Sequence, residues 1–376
     1  MKFNKNKSLE ELIVGLDISP TMYRNAEEKY KAVASYLENK GLNCEIYPQG
    51  SFAIGTVVRP YKEGKEQNYD LDFICLVKDY KNSESPLILR NLIGNQLKEH
   101  KTYNDMLKEY EKCWTLEYGT IEKIGFNMDI IPAIEEEETF ILITDKNLDT
   151  NLTKWIKSNP TGYVKWFEEI NSLYPQYDKI KIFNESVQEL PNAFERTSLQ
   201  KVIQILKVHR DSYYYKRRKE EKKVISSIIT TLCAQIAREN LNFTSLDTLD
   251  LLSYIVKELR IYSHYLTAEA LDLRYNDKKV IKKNFSKWEI LNPVNPDDNL
   301  ADQWNEDPEK AELFFDWIEN INQEFVEKKD IEYLYALESV FGESYVENKL
   351  ASSNLKRLLE ISKEKKEITP SKPWRK

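Results

Sequence analysis

Three aspartates and a glycine–serine pair carry the chemistry open to this sequence. Asp70 and Asp72 stand two apart in YDLDFICLV, Tyr69–Val77. Residues two apart in a strand point to the same face, so these carboxylates lie side by side. Side by side they repel, and they cannot both stay ionised cheaply without a cation. A divalent ion removes the conflict, and an oxygen-rich site suits Mg²⁺ or Mn²⁺. Taken alone, Asp-x-Asp equally describes the solvated end of an exposed strand.

Asp129 lies in IGFNMDIIPAI, an apolar run of the same kind. An acid there is costly to bury without a partner. A neighbouring strand would set it beside Asp70 and Asp72, and three carboxylates can hold two metal ions, as used for in-line displacement at phosphorus. An outward-facing place on a half-exposed strand is the alternative. The third feature is QGSFAIGT, Gln49–Thr56. Glycine lets a backbone approach a ligand and serine adds a donor. A short helix starting here would present free amides to an anion. A turn without a ligand is the alternative.

The elements that must position these residues are legible in outline. Ser19-Pro20 is a helix start, apolar spacing continues to Lys40, and Gly41 is a C-cap. Strands are predicted at Cys44–Tyr47, Tyr69–Val77, Trp114–Tyr118, Glu122–Ala133 and Phe140–Thr144, with one helix from about Pro86 to Tyr110. This is an α+β region with a small mixed sheet. From Thr153 onward the pattern is mostly helical: Thr197–Ser212, Ile225–Glu239, Thr248–Ala270, Ala311–Glu327 and Ile331–Phe341. Asn284–Asp307 reads as a long loop. The expected division is a catalytic core at 1–150 with its long N-terminal helix, a helical lobe at 151–365, and a flexible tail at 366–376.

In Leu199–Asp211 the apolar stripe is Leu199, Val202, Ile203, Ile205 and Leu206, and Gln200, Gln204, Lys207 and Asp211 share the opposite face. That face would let Lys207 project into a cleft between two lobes; a solvated lysine is the alternative. His209 reads as a packed helix residue. Arg59 is expected to touch phosphate or pair with an acid. Lys216–Lys219 and Glu135–Glu138 read as solvated loops, and Tyr213–Tyr215 as core or surface aromatics.

The bulk numbers bound the function. The 376 residues are 41% hydrophobic and carry a net charge of −7. This is a folded chain whose overall field does not favour coating nucleic acid. Four scattered cysteines and three scattered histidines exclude a zinc site of ordinary spacing. No signal peptide or membrane span is visible, so a cytoplasmic protein without membrane partners is expected.

Gly-Ser, then Asp-x-Asp, then a later Asp in an apolar strand resembles the DNA polymerase β-like nucleotidyltransferase superfamily. The longer strings QGSFAIGTVVRP, YDLDFICLV and NMDIIPAI resemble a narrower group, the cGAS/DncV-like nucleotidyltransferases (CD-NTases) of bacterial CBASS antiphage defence. KSNPTGYVKWF, LQKVIQILKVHRD and ISSIITTL continue the resemblance over roughly the first two thirds of the chain.

The resemblance implies a polymerase β-like core, a C-terminal helical lobe and a cleft between them. It implies a synthase of cyclic di- or trinucleotides from NTPs, releasing pyrophosphate, with two Mg²⁺ or Mn²⁺ ions on Asp70, Asp72 and Asp129. Gly50 and Ser51 would grip phosphates, with Gln49 beside them. Lys207 would contact the donor triphosphate together with Ser226, which fits better than Ser227 when counted back from Thr230-Thr231. The cyclic product would act on a downstream effector, and regulatory protein partners fit the same scheme. Transfer to RNA, a protein or a small molecule is the alternative activity, and a non-catalytic nucleotide-binding subunit the other.

Overall fold

A computed structural model describes residues 4–350, except 60, 63–64, 67, 82–83, 122–123, 175–195, 240–244 and 266–267. The expected tail at 366–376 lies outside the described residues.

The chain opens with a helix that the periodicity does not single out. In α1 (Lys5–Val14) the Asn4 side chain accepts from Lys7 N–H, and Leu9, Leu12 and Ile13 are buried. The predicted long helix is α2 (Pro20–Asn39): Ser19 accepts from Met22 N–H and Pro20 occupies the first turn, where its missing N–H costs nothing. Next come β1 (Cys44–Pro48), the short helix α3 (Gly50–Ala53), the hairpin β2 (Tyr61–Lys62) with β3 (Lys65–Glu66), and β4 (Tyr69–Val77).

The helix predicted from Pro86 to Tyr110 is instead α4 (Pro86–Glu99), α5 (Lys101–Met106) and the strand β5 (Leu107–Glu109). His100 breaks it: its backbone is extended, at φ −89° and ψ 113°, and its ring accepts from Tyr103 N–H to start α5. Then follow β6 (Trp114–Ile121), β7 (Ile124–Glu135), β8 (Ile141–Lys146) and β9 (Thr153–Ser158). β9 corrects the helical reading from Thr153; it completes the sheet edge by pairing antiparallel with β8.

The sheet runs β1-β4-β7-β6-β5, with β8 on β7 and β9 on β8. β4 and β7 are parallel, and the other pairings in this sheet are antiparallel. Alternation sorts β4 into two faces. Tyr69, Leu71, Phe73, Cys75 and Val77 join a core with α2 and α4. Ile74 and Leu76 join Cys113, Ile131, Ala133 and Ile141 on the other face, which is also the face of Asp70 and Asp72.

The rest of the chain is α6 (Pro160–Asn171), α7 (Ser198–Arg217), α8 (Ser226–Arg238), α9 (Thr248–Arg260) and α10 (Ala268–Tyr275), then hairpins β10 (Lys282–Asn284) with β11 (Lys287–Glu289) and β12 (Leu291–Asn292) with β13 (Asn295–Asn299). It closes with α11 (Asp302–Glu306), α12 (Glu309–Ile321), α13 (Asp330–Phe341) and α14 (Glu343–Leu350). The long loop predicted at Asn284–Asp307 is therefore structured: Asn299 and Asn305 side chains bridge to Trp288 and Ile290 backbone and hold the hairpins. The helix predicted over Thr248–Ala270 ends at Arg260 and gives way to a π turn, Ile261–Tyr265. Leu9, Leu12, Ile13 and Leu16 pack into the core formed by α7, α8, α9, α12 and α13, so α1 lies with the helical elements rather than with the sheet.

Arg90 staples α4 to the sheet. It is fully buried, pairs with Glu109 at 3.1 Å and donates to the carbonyls of Tyr110, Glu111 and Cys113. Trp114 Nε1 returns a bond to Arg90 O at 2.9 Å. The Trp114 ring lies so close to Gly94 that a Cβ there would meet it at 2.2 Å. Gly94→Ala is expected to lower folding stability by about 1–3 kcal/mol through overpacking, measured by urea denaturation; an unchanged midpoint would contradict this packing.

Candidate functional site

Asp70 and Asp72 occupy the polar start of β4, and the parallel register puts Asp72 opposite Asp129 and Asp70 opposite Asn127. All three aspartates line a cavity of about 500 Å³ with Gly50, Ser51, Lys207 and Ser226. Of the residues singled out in the sequence, Gln49 is not on that lining. It is the N-cap of α3 and makes no side-chain cap bond. Its backbone N–H donates to Asp72 O at 2.9 Å and fixes the turn to the strand.

Gly50 is required at its position twice over. Its φ is +58°, a left-handed conformation that favours glycine. A Cβ there would also stand 2.7 Å from Asp72 Oδ2. The turn and the carboxylate are therefore in near contact.

Electrostatics mark the same spot. Burial, then the charges of Asp129 and Asp70, push the Asp72 carboxyl up to about 7. Burial also raises Asp129, opposed by the hydrogen bond from Thr115. Among the described residues no group of three His, Cys, Asp or Glu side chains converges into a ready-made cation cage, the three aspartates included. Like charges spread apart without a cation, and two of these carboxylates are held by neighbours: Asp129 Oδ1 accepts from Thr115 Oγ1 at 2.5 Å and Asp70 Oδ1 from Asn127 Nδ2 at 2.9 Å. The donor chemistry itself, oxygen only and anionic, fits a hard divalent cation.

The opposite wall belongs to α7 and α8. The polar face of α7 is neither solvated nor free. Gln200 Nε2 donates to Ile54 O at 2.9 Å, Gln204 Nε2 to Val57 O at 2.7 Å, and Lys207 Nζ to Thr56 O at 3.1 Å and Thr56 Oγ1 at 3.2 Å. Lys207 is only 5% exposed, which excludes the solvated lysine. Burial, with the nearby Arg210 charge, pulls its ammonium down to about 7, against Asp211 and Asp72. Ser226 begins α8 and accepts from Arg210 Nη1 at 3.0 Å. Ser227 lines the cavity beside it.

Sequence reading passes over Tyr163, Arg210, Lys223 and Thr230, which also line the cavity. Two had a usable signal: Arg210 follows Lys207 by three residues, close to one helical turn, and Lys223 precedes Ser226 by three. Asp211 holds both cations, Arg210 at 2.9 Å and Lys223 at 3.0 Å.

The remaining candidates fall elsewhere. Arg59 donates to the Asp17 and Gly15 carbonyls, not into the cavity. His209 is buried, accepting from Trp317 Nε1 at 3.0 Å and lying 3.1 Å from Glu324; it is the packed helix residue expected. Tyr213 and Tyr214 are core. Lys216 and Arg217 complete α7 rather than a loop, with Lys216 on Ser339 O and Arg217 over the Tyr213 ring.

Comparison with known proteins bears on this arrangement. Residues 1–171 match the Second Messenger Oligonucleotide or Dinucleotide Synthetase domain. A c-di-GMP synthase of Roseivirga ehrenbergii is 26% identical over 330 residues, spanning 86% of this chain and 79% of that protein. These matches support a cGAS/DncV-like nucleotidyltransferase. The CD-NTase CdnG of Bradyrhizobium diazoefficiens, solved in complex with GTP, superposes with TM-score 0.68 over 92% of this chain and 98% of its own at 17% identity. CdnC from Escherichia coli MS115-1, solved in a complex with HORMA-deltaN, gives TM-score 0.58 over 90% and 98% at 13% identity. These likenesses show that the shared fold extends across both the sheet and the helical elements. Among the described residues, no helix is long and apolar enough to cross a membrane.

The raised carboxyl has a stability consequence with a definite sign. Between pH ~4 and ~7 folded Asp72 keeps a proton that the unfolded chain releases, so its contribution to stability falls as pH rises. Asp72→Asn abolishes this dependence. In metal-free urea denaturation the variant is expected to gain stability on wild type from pH ~4.5 to about 7 and to level off above it, by at most ~4 kcal/mol in all. A gap that stays flat with pH would contradict the raised carboxyl.

Proposed function

We propose that the chain synthesises a cyclic di- or trinucleotide from NTPs, releasing pyrophosphate, and acts in antiphage signalling. The observation that carries the reading is one cavity with two unlike walls. The Gly50–Ser51 turn and the aspartates form one, and Lys207 with the start of α8 forms the other. An anionic triphosphate needs both: carboxylates to hold its counter-ions and buried donors to hold its oxygens.

Asp70, Asp72 and Asp129 would hold two divalent ions, Mg²⁺ or Mn²⁺, which when bound neutralise phosphate charge and lower the pKa of an attacking ribose hydroxyl. Gly50 lets the backbone of the turn approach the β- and γ-phosphates, and Ser51 adds its hydroxyl. Lys207 and Ser226 take the triphosphate from the opposite side. Asp129 would face the attacking ribose hydroxyl and accept its proton as the oxygen bonds the α-phosphate of the second nucleotide and pyrophosphate leaves. A second round in the same cavity closes the ring. Gln49 orients the turn through its backbone bond to Asp72. Because the c-di-GMP synthase relative aligns over both lobes, GTP is the first substrate and cyclic di-GMP the first product to seek. The cytoplasm supplies these substrates, and the product carries the signal to an effector.

The test is incubation of the pure protein with labelled NTPs and Mg²⁺ or Mn²⁺, with mass spectrometry of phosphatase-resistant products. Wild type is expected to yield a cyclic product, whereas label on RNA or protein would transfer the assignment to tailing. The double variant Asp70→Asn, Asp72→Asn is expected to lower pyrophosphate release by about 10³-fold or more while keeping its thermal unfolding transition. Undiminished turnover in that variant would sink the assignment.

A further inference from the structure

The two outer carboxylates of the site are held in the same way by residues of neighbouring strands. Thr115 on β6 sits directly opposite Asp129 in the register and donates its hydroxyl to Asp129 Oδ1 at 2.5 Å. Thr115 is 3% exposed, and Cys113 Sγ lies 3.5 Å behind its hydroxyl. Asn127 on β7 sits directly opposite Asp70 and donates to Asp70 Oδ1 at 2.9 Å. Asn127 is steadied in turn: Asn68 Nδ2 reaches its Oδ1 at 3.5 Å, and Asn68 Oδ1 accepts from Gly125 N–H at 3.1 Å. In each aspartate the hydrogen bond goes to Oδ1, and the carboxylate as a whole lines the cavity.

We infer that Thr115 and Asn127 are positioning residues, each fixing Oδ1 of one outer aspartate so that its Oδ2 is presented to a divalent ion in front of Asp72. The inference rests on the metal reading proposed above and adds to it the groups that orient the ligands. Its physical basis is rotational. A carboxylate at the edge of a cavity turns freely about χ1 and χ2, and repulsion from its neighbours turns it away. A donor fixed on the adjacent strand sets one oxygen and therefore the other. Such outer partners are typically worth about 10–100-fold in metal affinity. A purely structural bond within the sheet would leave metal affinity unchanged and alter only the melting temperature.

Mn²⁺ titration followed by electron paramagnetic resonance separates the two, with a saturating non-hydrolysable GTP analogue present and its own Mn²⁺ binding subtracted. Thr115→Val keeps the branched shape and removes the hydroxyl, and Thr115→Ser keeps the hydroxyl. Thr115→Val and Asn127→Ala are each expected to weaken Mn²⁺ binding about 10–100-fold, and Thr115→Ser to stay within about threefold of wild type. Asn127 is half-buried, so its variant decides the matter even if Thr115→Val fails to fold. Wild-type affinity in Thr115→Val and Asn127→Ala would overturn the inference. No protein-bound Mn²⁺ in wild type, or undiminished binding in Asp70→Asn, Asp72→Asn, would overturn the metal reading and the inference with it.

Discussion

Three like charges on adjacent strands of one sheet are the constraint on which the rest of the structure depends. The parallel pairing of β4 and β7 creates it. In a parallel pair both strands begin at the same end, so the polar starts of YDLDFICLV and NMDIIPAI fall together and their apolar ends fall together. An antiparallel pairing would have set Asp72 against the apolar end of β7. The apolar halves, Phe73–Val77 and Ile130–Ile134, are buried and anchor the register that the charged halves oppose. The sheet core thus holds in place an electrostatic conflict that a bound cation would relieve.

The cavity is built around this conflict from distant parts of the chain. The turn at Gly50 comes against Asp72 because only a residue without a Cβ fits there. Helix α7 comes against that turn through bonds from Gln200, Gln204 and Lys207. One short stretch, residues 50–57, therefore touches the carboxylates on one side and the helical lobe on the other.

How much of this was legible depended on range. Local chemistry was readable: the Ser19-Pro20 start of α2, the alternation then burial of β4, and the glycine at the tight turn each declare themselves within a few residues. The grouping of the aspartates was readable only from Gly-Ser, Asp-x-Asp and the later Asp taken together, since each alone has a bland alternative; the register sets Asp72 opposite Asp129. Readings failed where a local pattern was settled by a distant partner. Helix spacing runs straight through His100, but the backbone turns there so that β5 can pair with β6. Asn284–Asp307 has loop composition, yet its asparagines supply the bonds that hold two hairpins. The polar face of α7 reads as a cleft face, and Lys207 and Asp211 do line the cavity, but side-chain type alone does not reveal that backbone carbonyls await Gln200 and Gln204. Thr115 and Asn127 gave no signal, since a threonine and an asparagine in a strand are ordinary until the register sets them opposite acids.

The seam made by α7 has a consequence for how this protein can vary. Gln200, Gln204 and Lys207 bond to the carbonyls of Ile54, Val57 and Thr56, groups that every residue type possesses. Those bonds therefore read the path of the chain, and only at Thr56, whose hydroxyl Lys207 also meets, does a side chain enter them. Residues 54 and 57 can be exchanged for others of suitable size while the joint persists. A change of backbone course in that segment, such as an insertion of one residue, would detach three bonds at once and carry the Gly50–Ser51 turn away with them.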